Sequence, residues 1–103
     1  MDTRIKTWLI DILQSIEEIN LFTSDIRDFK DYKNDLKTKK AVERNLEIVG
    51  EAVSRILKID PQFKLDNAKK IIGTRNRIIH SYDNISDEVI WTIIRRELPG
   101  FKV

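Results

Sequence analysis

The chain has 103 residues, of which 41% are hydrophobic and 35% charged, with a net charge of +2 and no cysteine. This excludes a second core, a disulfide frame and a thiolate metal site, and the charge is too small to mark a nucleic-acid binder by itself. No stretch approaches the roughly 20 apolar residues that span a bilayer, and the first residues mix charge with apolar side chains, unlike a signal peptide. One soluble, cytoplasmic domain over residues 1–103 is expected, with a core modest enough to make a partner subunit plausible.

Ile5, Trp8, Leu9, Ile12, Leu13, Ile16 and Ile19 recur at three- and four-residue steps, which predicts an amphipathic helix from Thr3 to Asn20. Ser24, with Asp25 and Asp28 after it, offers the start of a short second helix that turns Ile26, Phe29 and Tyr32 inward. The third helix, Leu36 to Lys58, is the longest. Val42, Leu46, Val49, Val53, Ile56 and Leu57 form its stripe, flanked by Ala41 and Ala52. Gly50 inside it costs about 1 kcal/mol relative to alanine, which suggests a close neighbouring backbone. Asp60-Pro61 ends that helix.

A fourth helix is predicted from Asp66 or Asn67, with Ala68, Ile71, Ile72, Ile78, Ile79 and Tyr82 on one side. The fifth has a complete start signal: Ser86 as cap, Asp87 and Glu88 in the first turn, and Ile85 set to staple against Ile90. Pro99-Gly100 stops it. No segment alternates with period two for long enough to be a strand. The expected fold is all-α, an up-and-down bundle of about five helices. Trp8 and Trp91 lie on apolar stripes and read as core anchors.

The segment Arg75-Asn76-Arg77-Ile78-Ile79-His80-Ser81-Tyr82 stands apart because it holds the only histidine and sets a guanidinium in an apolar stripe. A charge there costs free energy unless it is paired. At about 100° per residue, Ile71, Ile72, Ile78, Ile79 and Tyr82 all fall within about 60° of Arg75. Asn76 and His80, four apart, are neighbours on an adjoining face, which Gly73 shares and keeps open. Arg75 and His80 are about 140° apart on a regular helix, so one chain alone would struggle to aim both at one atom. Two chains about a two-fold axis would set two copies of each around one cleft.

Such a cleft suits metal-free RNA cleavage. That reaction needs a base for the 2′-hydroxyl proton, an acid for the leaving oxygen and a cation for the transition state. Histidine serves the first two tasks and an arginine fork the third, while Asn76 would orient the imidazole or hold a phosphate oxygen. A purely structural reading stands beside it. Arg75 would then pair with Glu51 or Glu47 to fix helix register, His80 would cap helix carbonyls, and Tyr82 would be a core aromatic. The basic clusters Lys37, Lys39, Lys40; Lys69, Lys70, Arg75, Arg77; and Arg95, Arg96 read first as solvated helix faces. Glu17, Glu18, Asp11 and Glu51 show no Glu-x-x-His pairing with His80, so no di-iron site is expected.

The Arg75–Tyr82 segment resembles the R-x4-H-x-Y motif of HepT-like toxins, a branch of the HEPN ribonuclease superfamily. The run Ala41-Val42-Glu43-Arg44-Asn45-Leu46-Glu47-Ile48-Val49-Gly50-Glu51-Ala52 is similar to that family's third-helix signature, and Asp87-Glu88-Val89-Ile90-Trp91 also fits. One departure is Ala68-Lys69-Lys70, where relatives often carry a tryptophan, and the chain is short for the family. The resemblance implies a HEPN-like homodimer with motif helices facing each other. It implies a metal-independent endoribonuclease, needing no cofactor, that is the toxin of a type II or type VII-like toxin–antitoxin pair. The partner it implies is a minimal nucleotidyltransferase antitoxin that attaches AMP to Tyr82. Carried over, Arg75 and His80 are catalytic and Asn76 supports them. The alternative is a non-catalytic helical dimer that docks the nucleotidyltransferase.

Overall fold

The computed structural model describes residues 2–65, Gly73, Asn76 and residues 86–98. These form helices and turns, with no strand among them, in agreement with the all-α expectation. Helix α1 runs Thr3–Phe22, α2 Phe29–Lys33, α3 Leu36–Ile59 and α4, the fifth of the predicted helices, Asp87–Thr92.

Each helix starts where a short polar side chain takes up a free backbone N–H. Asp2 accepts from the Arg4 amide at 2.7 Å, Asp28 from Asp31 at 2.9 Å, Asp35 from Thr38 at 3.0 Å and Ser86 from Glu88 at 3.1 Å. The Arg4 side chain, bonded to the same carboxylate, helps hold the Asp2 carboxyl down to about 2. Ser24 does not start α2. Its hydroxyl turns back to the Leu21 carbonyl at 2.9 Å, closing α1 instead, and Asp28 takes the cap. The Ile85 staple and the Pro99-Gly100 stop lie outside the described residues.

α1 packs against α3 and runs antiparallel to it: Phe22 lies by Lys37 and Ala41, Trp8 by Arg44 to Arg55. Ile5, Ile12 and Ile19 from α1 meet Val42, Leu46, Val49, Val53 and Ile56 from α3 in the buried core. Trp8, Leu9, Ile16 and Leu57 are packed on its rim. Leu13 is a correction. It keeps the three- and four-residue spacing of the stripe but is 52% exposed, because α3 covers a narrower arc of α1 than that spacing admits. Gly50 and Asn45 are buried in α3, and the Asn45 amide donates to the Ala41 carbonyl one turn back at 3.0 Å.

α2, only five residues long, rests on α3 and α4 and sends Tyr32 inward. Its ring lies 5.4 Å from that of Trp91, tilted by 31°. Beyond Thr92 the backbone widens into a π-helical turn, Ile93–Glu97, closed by the Leu98 N–H on the Ile93 carbonyl at 2.8 Å. Ile93, Ile94 and Leu98 all reach the core. Arg95 clamps this end to the start of α2. Its guanidinium stands 4.5 Å over the Trp91 ring and donates to the Arg27 carbonyl at 3.2 Å. Lys39 of α3 pairs with Asp87 of α4 at 3.1 Å.

The Tyr32 hydroxyl is buried and has no hydrogen-bond partner among the described residues. Burial pushes its phenol far above the ordinary range, with Glu43 and Asp87 adding to the shift. An unmet buried hydroxyl costs about 1–3 kcal/mol. Tyr32→Phe is therefore expected to leave the melting temperature unchanged or raise it, whereas a hydroxyl with an essential bond would lower it.

Candidate active-site face

Of the motif residues, Arg75, His80 and Tyr82 lie outside the described residues, as do the isoleucines around them. The motif helix is represented by Gly73 and Asn76, which are both helical. Three residues apart, they share one face. Asn76 is exposed, and a Cβ built on Gly73 would meet no atom within 4 Å. The face assigned to Asn76 is thus open at Gly73, as its spacing suggests.

A groove of about 380 Å³ runs between α1 and α3, lined by Trp8, Asp11, Arg44, Glu47, Ile48, Glu51, Ala52 and Arg55. Five of these belong to the α3 run that carries the resemblance. The reason is helical: Arg44, Glu47 and Ile48, Glu51 and Ala52, and Arg55 advance by three and four, so one face of α3 presents them together. Ile48 and Ala52 give the groove an apolar floor and the charged residues give it a rim.

The rim mixes both signs, with Arg44 and Arg55 at its two ends on α3 and Glu47 and Glu51 between them. Arg44 reaches Glu47 at 3.3 Å and Arg55 reaches Glu51 at 2.9 Å. Each arginine meets a carboxylate one turn away, so this groove is not a continuous basic track for a polyanion. Glu47 and Glu51, the acids offered above as partners for Arg75, take these contacts within α3; the pairing with Arg75 itself falls outside the described residues.

Two basic clusters can be placed. Lys37 and Lys40 are exposed while Lys39 is held by Asp87. Arg96 is exposed, and Arg95 is the clamp described above, a role with no signal in its local pattern. Trp8 and Trp91 are both half-buried against the core, and Trp8 also walls the groove. Among the described residues, no three His, Cys, Asp or Glu side chains gather closely enough to hold a metal ion, and no helix is long and apolar enough to cross a membrane.

Comparison with known proteins adds what the geometry leaves open. Residues 12–103 match the family model described as Ribonuclease HepT-like. The chain is 38% identical over 100 residues to "Putative RNase MJ1380" of Methanocaldococcus jannaschii, covering 95% of this chain and 90% of that one. It is 35% identical to "Putative RNase MJ0125" of the same organism, over 95% of this chain and 84% of that one. It is 34% identical to "Probable ribonuclease HepT" of Thermococcus cleftensis, over 94% of this chain and 88% of that one. No solved structure is significantly similar. With most of its length matched by the family model, and with relatives similar over most of theirs, the chain belongs to the HepT-like ribonuclease family.

Proposed function

We propose that the protein is a metal-independent endoribonuclease that acts as the toxin of a toxin–antitoxin pair, working as a homodimer whose two motif helices face a common cleft. The observation that carries this reading is family membership over residues 12–103, a span that holds Arg75, Asn76, His80 and Tyr82 at the motif spacing. The open, exposed face at Gly73 and Asn76 supports it.

In this mechanism a neutral imidazole of His80 takes the proton from an RNA 2′-hydroxyl. The freed oxygen attacks the adjacent phosphorus, the bond to the 5′-oxygen breaks, and that oxygen leaves with a proton from the second protomer's imidazolium or from water. Arg75 binds the phosphate oxygens, where negative charge builds up. Asn76 orients the imidazole or holds a phosphate oxygen. Partner-free protein should cleave RNA with EDTA present. Intact RNA after long incubation, together with tight binding of a nucleotidyltransferase, would favour the non-catalytic docking module instead.

Silencing follows from the same site. A minimal nucleotidyltransferase antitoxin would transfer AMP from ATP to the Tyr82 hydroxyl, releasing pyrophosphate. The added nucleotide fills the cleft and sets negative charge in the same site as Arg75, opposing RNA entry. Co-expression with that partner is expected to add AMP mass to the Tyr82 peptide and to abolish cleavage. Full modification of Tyr82→Phe would remove this assignment.

A further inference from the structure

The exposed side of α1 carries two large apolar side chains among polar ones. Ile10 is 47% and Leu13 52% exposed; Ile10 lies opposite Ile5, Ile12 and Ile19 on α1, and Leu13 lies on the flank, about 100° from Ile12. Lys6 and Glu17 flank them and are also exposed. At about 100° per residue, the four side chains fall within about 60° of one another, in a row about 16 Å long.

The row has a property that a merely solvated face does not need. Lys6 and Glu17 share a midpoint with Ile10 and Leu13, between Asp11 and Ile12. Two copies of α1 laid antiparallel about a two-fold axis at that midpoint therefore match in every register position. Lys6 faces Glu17 of the other copy at both ends, and Ile10 faces Leu13 twice in the middle. Neither charge has an ion pair among the described residues, and Asp2, the acid one turn before Lys6, is taken by Arg4 at 2.9 Å. We propose that this face of α1 is a contact surface for a second copy of the same chain.

The occupant follows from the charge order. An isologous contact must be complementary to itself, and a positive-apolar-apolar-negative row satisfies that only when the helices run antiparallel. One helix face buries less than the roughly 800 Å² per partner of a standard stable interface. The contact is therefore weak alone and gains weight where other contacts already hold copies together, by raising their effective concentration.

The chain has no cysteine, so single cysteines report the contact cleanly. Full-length Ile10→Cys and Leu13→Cys proteins are mixed at low salt under mild oxidation, and the mixed disulfide is timed. When the first also carries Lys6→Glu and the second Glu17→Lys, both charge pairs stay attractive between the two proteins. When both carry Lys6→Glu, both pairs are repulsive. The matched mixture is expected to form the mixed disulfide roughly fivefold faster or more than the mismatched one, with the difference shrinking as salt rises. All four positions are exposed, so melting temperatures should stay within a few degrees of the parent, and circular dichroism checks this. Equal rates in the two mixtures overturn the proposal. So does an Ile10→Cys thiol that is protected from alkylation only when a nucleotidyltransferase is added, which would give the face to that partner.

Discussion

Replacing His80 with alanine is expected to lower the rate of RNA cleavage by at least about a hundredfold, the lower end of what a positioned acid or base contributes. The expectation rests on scarcity. His80 is the only histidine, so each protomer has only this one side chain that ordinarily titrates near neutral pH. In a shared cleft the substitution removes base and acid together, so the loss should exceed that of a single proton-transfer group. Arg75→Ala should lower turnover more than RNA affinity, because its charge matters most where the phosphorane carries extra negative charge. Arg75→Lys should recover only part of the rate, since a point charge replaces a two-pronged donor. Steady-state rates on a short RNA, with binding measured separately, distinguish these cases. A His80→Ala protein that cleaves at the parent rate would remove this residue from the chemistry.

Leu46→Ala is expected to destabilise the fold by about 2–5 kcal/mol, from lost transfer free energy and the cavity left behind. Leu46 is only 1% exposed, between α1 and α3, so few neighbours can move to refill the space. For a small domain with about 5–15 kcal/mol of total stability, that is a large fraction. Leu13→Ala is the matched control. At 52% exposure it removes the same atoms from a site that is largely wet, and it should change stability by no more than about 0.5 kcal/mol. Urea unfolding of both variants tests the pair; equal losses would mean that α1 packs through a different face.

The contrast between those leucines shows where sequence reading succeeds. α3 was legible nearly to the residue, because a long stripe at three- and four-residue steps leaves one face to bury and Asp60-Pro61 ends it. Ser86 was legible because a cap acts locally, through the amide two residues on. Leu13 was not, since spacing says which residues share a side of a helix and not how wide a neighbour covers it. Ser24 misled for a related reason: Asp28 offers a competing cap, and its carboxylate accepts from the Asp31 amide while Ser24 closes α1. The Arg95 clamp depends on bringing residue 95 to carbonyls at residues 26 and 27, a contact no local pattern encodes.

The candidate site divides in the same way. The roles of Arg75, Asn76 and His80 are expectations that rest on the family resemblance, with residue types and spacing only compatible with them, whereas five residues of the α3 signature line one groove because they recur at helical steps. The angle between Arg75 and His80 is a single-chain quantity, whereas the proposed cleft is a property of two chains. Symmetry between copies has no direct imprint on one sequence except where a face is complementary to itself, as on the outer side of α1.

The most direct test is cleavage of two matched oligonucleotides by partner-free wild-type protein in EDTA, one all-RNA and one with a single 2′-deoxy sugar at the linkage that is cut. The mechanism predicts that the RNA is cut to leave a 2′,3′-cyclic phosphate and a 5′-hydroxyl, and that the deoxy linkage survives. Intact RNA, cutting that stops when EDTA is added, or cleavage at the deoxy linkage would contradict it.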